Sequence, residues 1–115
     1  MIAVVHCETS SGVVNQVEEI ASLAKKYQPE ASVFVDAMSS FGAIPLNTKH
    51  VDYLVSSANK CLEGVPGFSY AICRKSKLFQ CQGNKLTACI PCMLWLYKVN
   101  VCMFVALCIC FRSTT

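Results

Sequence analysis

Two short apolar runs bracket one amphipathic segment, and that order constrains the chain more than any other feature. The runs are residues 2–5 (Ile-Ala-Val-Val) and 32–35 (Ser-Val-Phe-Val). A short continuous apolar run predicts a strand buried on both faces. Between the runs, Val17, Ile20, Ala21, Ala24 and Tyr27 recur at helical spacing, which predicts a helix over residues 15–27. Asn15 is placed to cap it, with Glu18 in the capping-box position. Lys25 and Lys26 suit the negative end of its dipole, and Pro29 stops it. Further strands are expected at 53–56 and 68–73, and the polar stretch 7–12 (CETSSG) reads as a turn. Strand, helix and strand with short connections imply an α/β fold with a mainly parallel sheet.

In such sheets ligands gather beyond the carboxyl ends of the strands. The positions there are Glu8 to Gly12, Asp36 to Ser40 and Ser57 to Lys60. They bring hydroxyls, one carboxylate and one amine to a single edge. A lysine amine forms a Schiff base with an aldehyde cofactor when it is unprotonated, and partial desolvation favours that state. A carboxylate facing a pyridine nitrogen keeps that nitrogen protonated and strengthens the ring as an electron sink. Asp36 and Lys60, 24 residues apart, are compatible with this chemistry. Spacing alone favours a structural ion pair over this chemistry.

The chain changes character near residue 78. Residues 1–78 carry seven Lys/Arg and seven Asp/Glu, whereas 79–115 carry Lys85, Lys98 and Arg112 and no acid. The net charge of +3 therefore belongs to the second segment, too sparse for a nucleic-acid footprint. Six of the nine cysteines also lie there. No signal peptide opens the sequence, so reduced thiols are expected. Residues 89–111 could span a bilayer by length, but Pro91, Lys98 and Asn100 interrupt them. The uninterrupted run 101–111 suits a buried or interfacial helix better.

Three segments carry a resemblance: VHCETSSGVVNQVEEIASLAKKY, VDAMSSFGAIPL and DYLVSSANKCLEGVPGF. In this order and at these gaps they resemble the 2-aminoethylphosphonate–pyruvate transaminases, class V, fold-type I aminotransferases dependent on pyridoxal phosphate. The resemblance covers about residues 3–78. The Gln28–Ser32 connection looks slightly long for the family and the Asn47–Val51 connection slightly short, both in loops. Position by position, Lys60 looks like the Schiff-base lysine, Asp36 like the pyridinium partner, and Thr9 like a hydroxyl contacting the cofactor ring region.

The resemblance implies transfer of the amino group of 2-aminoethylphosphonate to pyruvate. Lys60 would release the cofactor to the substrate and shuttle the proton. The GVPG loop after Lys60 would let the lysine sit close to cofactor and cover without a helix constraining it. The resemblance further implies a homodimeric parent, cytoplasmic or mitochondrial, with a small-molecule amine and pyruvate as its partners. Family members are several times longer, so the expectation is a central fragment of the large domain, inactive alone. Residues 79–115 resemble nothing in the family and read as a Cys-rich apolar tail, helical or disordered. A retained intron or shifted frame would produce such a tail. The alternative from a different class is a non-catalytic, membrane-associated or interaction remnant dominated by that tail.

Single features have plainer readings. Cys89-Ile90-Pro91-Cys92 has CxxC spacing but no second pair or nearby histidine, so no metal site is expected. Cys108 and Cys110 read as apolar filler. His6 and His50 read as hydrogen-bonded structural histidines. Cys61 has no evident base partner, and Ser39 and Ser40 suit loop capping as well as cofactor contact.

Overall fold

The computed structural model describes residues 1–80, 93–98 and 101–107. Three parallel strands form its centre: β1 (Ile2–Val5), β4 (Val33–Asp36) and β5 (Tyr53–Ser57), with β4 between the other two. The helix α1 (Val17–Tyr27) crosses from β1 back to β4. Strand β6 (Phe68–Arg74) returns antiparallel along β5. The α/β architecture and its parallel core are those the sequence implies.

The core is one layer between sheet and helix. Val17, Ala21 and Ala24 of α1 pack with Val33, Val35 and Leu54 of the sheet, together with Ala37 and Val51. Small residues on the helix let it lie close to the β-branched face of the strands. Tyr27, also assigned to that helical face, is 73% exposed. It is the last residue of α1.

Three local expectations are corrected. Residues 2–5 are not buried on both faces. Exposure alternates along β1: Ile2 and Val4 pack against the core that α1 covers, and Ala3 and Val5 point to the opposite, uncovered face. The turn at 7–12 closes a small hairpin of β2 (Cys7–Glu8) and β3 (Val13–Val14). Asn15 does not cap α1: Gln16 holds that position without a side-chain cap bond. Asn15 instead donates its side-chain amide to Val5 O at 2.8 Å, tying the helix approach to β1. The Glu18 carboxylate accepts Asn47 N–H at 2.8 Å rather than closing a capping box.

Beyond β6 the helix α2 (Lys75–Gln80) runs across residue 78. The strands β7 (Met93–Lys98) and β8 (Val101–Leu107) follow, giving a sheet order β1-β4-β5-β6-β8-β7. Residues 101–107 are thus strand where the sequence favours a helix. They pair antiparallel with β6 at every position, from Phe68↔Leu107 to Arg74↔Val101. Backbone groups along β6's outer edge supply that pairing, and Val101, Phe104 and Val105 suit a strand. The CxxC at 89–92 and Cys108 and Cys110 lie outside the described residues. Among the described residues no helix is long and apolar enough to cross a membrane.

Candidate active site

Asp36 and Lys60 stand at the carboxyl edge of neighbouring parallel strands. Asp36 ends β4 and pairs in register with Val5 and Val55. Lys60 lies three residues past the end of β5. Thr9 is in the exposed hairpin turn that follows β1 at the same edge. The parallel topology therefore brings all three sequence-assigned site residues to one end of the sheet.

Among the described residues, neither Asp36 nor Lys60 is engaged by another side chain. Asp36 Oδ1 accepts Met38 N–H at 2.9 Å, a turn-forming bond. Asp36 and Lys60 form no ion pair: the salt bridges among the described residues join Lys25 and Arg74 to Asp52. That removes the structural ion-pair reading. Lys60 is exposed and its amine makes no hydrogen bond among the described residues. A third group adds to these. Ser57, the last residue of β5, is 6% exposed, and its buried hydroxyl has no hydrogen-bond partner among the described residues. An orphaned buried hydroxyl carries a desolvation cost that a bound polar group would relieve. An amine, a carboxylate and an orphan hydroxyl at one strand edge fit an anionic aldehyde cofactor with a ring nitrogen.

The loop after Lys60 is closed tightly. Glu63 N–H donates to Lys60 O and Gly64 N–H to Ala58 O, both at 2.8 Å. A Cβ at Gly64 would lie 3.1 Å from Ala58 O, so a side chain would crowd this return. Gly67 has φ +116°, a conformation open to glycine, and restarts the chain into β6. The GVPG segment thus folds Lys60 into a compact turn without a helix.

The turn after Asp36 is anchored on several sides. Ala37 O accepts Ser40 N–H, Phe41 N–H and the Ser56 hydroxyl. Ser39 donates its hydroxyl to Cys7 O at 2.8 Å, and Ser39 O accepts the Cys61 thiol at 3.2 Å. Ser40 is fully buried and bonds His6 Nδ1 at 2.8 Å. Ser39, Ser40, Cys61 and His6 are therefore structural links, as their plainer readings have it. Phe41 packs edge-on to Tyr70, with ring centres 5.9 Å apart. In the first loop, the backbone N–H of Ser10, and then its hydroxyl, hold the Glu8 carboxyl below its ordinary value of 4.5.

The sequence reading missed Ser57 as an individual contributor and Asp52 altogether. Asp52 is buried at the opposite end of the sheet. Its carboxylate meets Lys25 Nζ at 2.5 Å, Arg74 Nε at 3.3 Å and Val33 N–H at 2.9 Å. Asp52 follows the polar residues Asn47, Thr48, Lys49 and His50, so its charge does not stand out in the sequence. A cavity of about 390 Å³ lies beside it, lined by Lys49, Arg74, Lys75 and the apolar residues Leu54 and Ile72 among others. It is remote from the strand edge that holds Asp36 and Lys60.

The chain is similar in sequence to several curated transaminases. The 2-aminoethylphosphonate–pyruvate transaminase of Klebsiella pneumoniae is 54% identical over 85 residues, 72% of this chain and 23% of that protein. Those of Salmonella paratyphi C and Vibrio cholerae are 51% and 49% identical over the same length. The chain spans 23% of the length of these curated relatives. A solved phosphoserine aminotransferase from Cytophaga hutchinsonii is 36% identical, with a TM-score of 0.49 over 57% of this chain and 18% of its own. The family model for class-V aminotransferases matches residues 1–93, past the expected boundary at 78 and up to the start of β7. By that match the chain belongs to the class-V aminotransferases.

Proposed function

We propose that residues 1–78 form the cofactor-gripping part of a pyridoxal-phosphate-dependent aminotransferase large domain. The reaction they serve moves the amino group of 2-aminoethylphosphonate to pyruvate, giving phosphonoacetaldehyde and alanine. The observation that carries this reading is the convergence of Asp36, Lys60 and the orphan Ser57 hydroxyl at one strand edge, each without a side-chain partner among the described residues. The substrate pair is supported by relatives named as 2-aminoethylphosphonate–pyruvate transaminases.

Each residue has a definite task. Lys60 Nζ would hold the cofactor through its aldehyde and would carry the proton to and from the substrate carbon. The Asp36 carboxylate would accept the pyridine N–H and keep that nitrogen protonated. Its orientation is set by the bond from Met38 N–H. Thr9 offers its hydroxyl to the ring region. When bound, pyridoxal phosphate supplies the sink for the electron pair released at that carbon. Two subunits complete the site in this proposal, with a small-molecule amine and pyruvate as reactants.

Cofactor trapping tests the reading. The full chain is mixed with pyridoxal phosphate, reduced with borohydride, and the adduct located by peptide mass. Lys26 and Lys49, both exposed, serve as internal controls; Lys25, engaged by Asp52, does not. Selective labelling of Lys60 that is lost in Asp36→Ala supports the assignment. Uniform labelling of all exposed lysines refutes it.

A further inference from the structure

We propose that His6 is a positioning residue: through Ser40 it holds the Asp36 turn in register with the loop that carries Lys60. The functional weight of this inference rests on the assignment of Asp36 and Lys60 above.

His6 grips the turn at both ends. Its backbone N–H donates to Asp36 O at 2.7 Å, where the turn leaves β4. Its imidazole Nδ1 meets Ser40 Oγ at 2.8 Å, four residues further on. Both side chains are buried, His6 at 4% exposure and Ser40 at 0%, so water does not replace the bond easily. The neighbours of His6 are more accessible: Val5 is exposed and Cys7 half-buried. The chain therefore turns one polar ring inward at the strand end, and Ser40 is what that ring meets.

The grip extends to the lysine loop. Ser39, between the two held ends, accepts the Cys61 thiol at its carbonyl. Cys61 directly follows Lys60. A continuous set of contacts thus runs from His6 through Ser40 and Ser39 to the residue after Lys60. The same turn conformation presents Met38 N–H to the Asp36 carboxylate. Loss of the His6–Ser40 bond would free the turn at its buried end and loosen the carboxylate and the amine together. His6 touches neither in this arrangement, so its role is to position them.

Two substitutions separate the hydrogen bond from the volume of the ring. His6→Asn places an amide near the Nδ1 position but removes bulk. His6→Phe keeps bulk but removes the bond. The first readout needs no cofactor: the rate at which a disulfide reagent modifies Cys61, located by peptide mass in the full chain. His6→Phe should raise that rate roughly fivefold, as expected for losing the net worth of one hydrogen bond, with His6→Asn within about twofold of the parent. The reverse order, or equal rates in the two variants, overturns the proposal. Ser40→Ala serves if His6→Phe does not fold, judged by circular dichroism. It should raise the Cys61 rate in the same way, and an unchanged rate overturns the proposal.

The second readout is spectroscopic. In the chain loaded with pyridoxal phosphate, the pH midpoint of the Lys60 adduct's absorbance should move in His6→Phe and stay in His6→Asn. A midpoint unmoved in both variants overturns the link to Asp36. Absence of any Lys60 adduct in the parent chain refutes the cofactor assignment instead, and the Cys61 rates still decide whether His6 holds the two loops together.

Discussion

Replacing Asp52 with asparagine should destabilise the chain by about 1.5–4 kcal/mol, the sum of one strong and one weak lost contact. Asparagine keeps the volume and can still accept Val33 N–H, so no cavity opens. The bond to Lys25 Nζ at 2.5 Å loses its charge, a loss of about 1.5–3 kcal/mol for a charge-assisted contact. The longer approach of Arg74 Nε, at 3.3 Å, adds about 0–1 kcal/mol, because that side chain is 40% exposed and well screened. Stripping a buried pair of one partner costs about 3–5 kcal/mol when the survivor stays buried. Here Lys25 is 20% and Arg74 40% exposed, so both cations can turn toward water and the smaller sum applies. Urea unfolding followed by circular dichroism reads the change. The midpoint should fall by about 1 M or more at unchanged slope. A midpoint that stays put would show that the three-element clamp of α1, β5 and β6 contributes nothing net. So would strict additivity of Asp52→Asn with Lys25→Met.

Three further outcomes follow from other parts of the molecule. Leu54→Ala, at a side chain 1% exposed in the centre of the core, should cost about 2–5 kcal/mol in the same unfolding assay. Gly67→Ala should cost about 1–3 kcal/mol. No atom lies within 4 Å of the added methyl, so any loss measured there is backbone strain at φ +116°. The Glu8 carboxyl, whose folded value is depressed by Ser10, contributes to the hairpin turn above the ordinary carboxylate range and loses that contribution as pH falls through its folded value. An NMR titration should place its midpoint below 4.5 and return it upward in Ser10→Ala; an unchanged midpoint in the variant would exclude the Ser10 bonds as the cause.

The candidate site was legible in part because its groups sit at strand ends that hydrophobic runs mark plainly. Asp36 closes one apolar run, and Lys60 follows another by a few residues. Once the strands are parallel, those ends must share an edge. Ser57 was inside the marked window, yet nothing in sequence distinguishes it from Ser56. Ser56 bonds Ala37 O, while Ser57 stays unpartnered. Strand alternation puts the two hydroxyls on opposite faces, and only the surroundings decide which one finds an acceptor. Asn15 misled for a related reason: its local propensity to cap lost to a tertiary acceptor on β1.

Periodicity and chain order by themselves determined the α/β class, the three parallel strands, the helix between the first two, and the shared edge of Asp36 and Lys60. These depend on which residues avoid water and on the short connections between them, and both are written locally. Only the tertiary structure decided that Asp52 binds Lys25 and Arg74, that His6 meets Ser40, and that residues 101–107 pair as a strand on β6. Each joins groups 22 or more residues apart, and local pattern does not encode that proximity. The partner of a buried polar group is set by what the fold brings within about 3 Å of it.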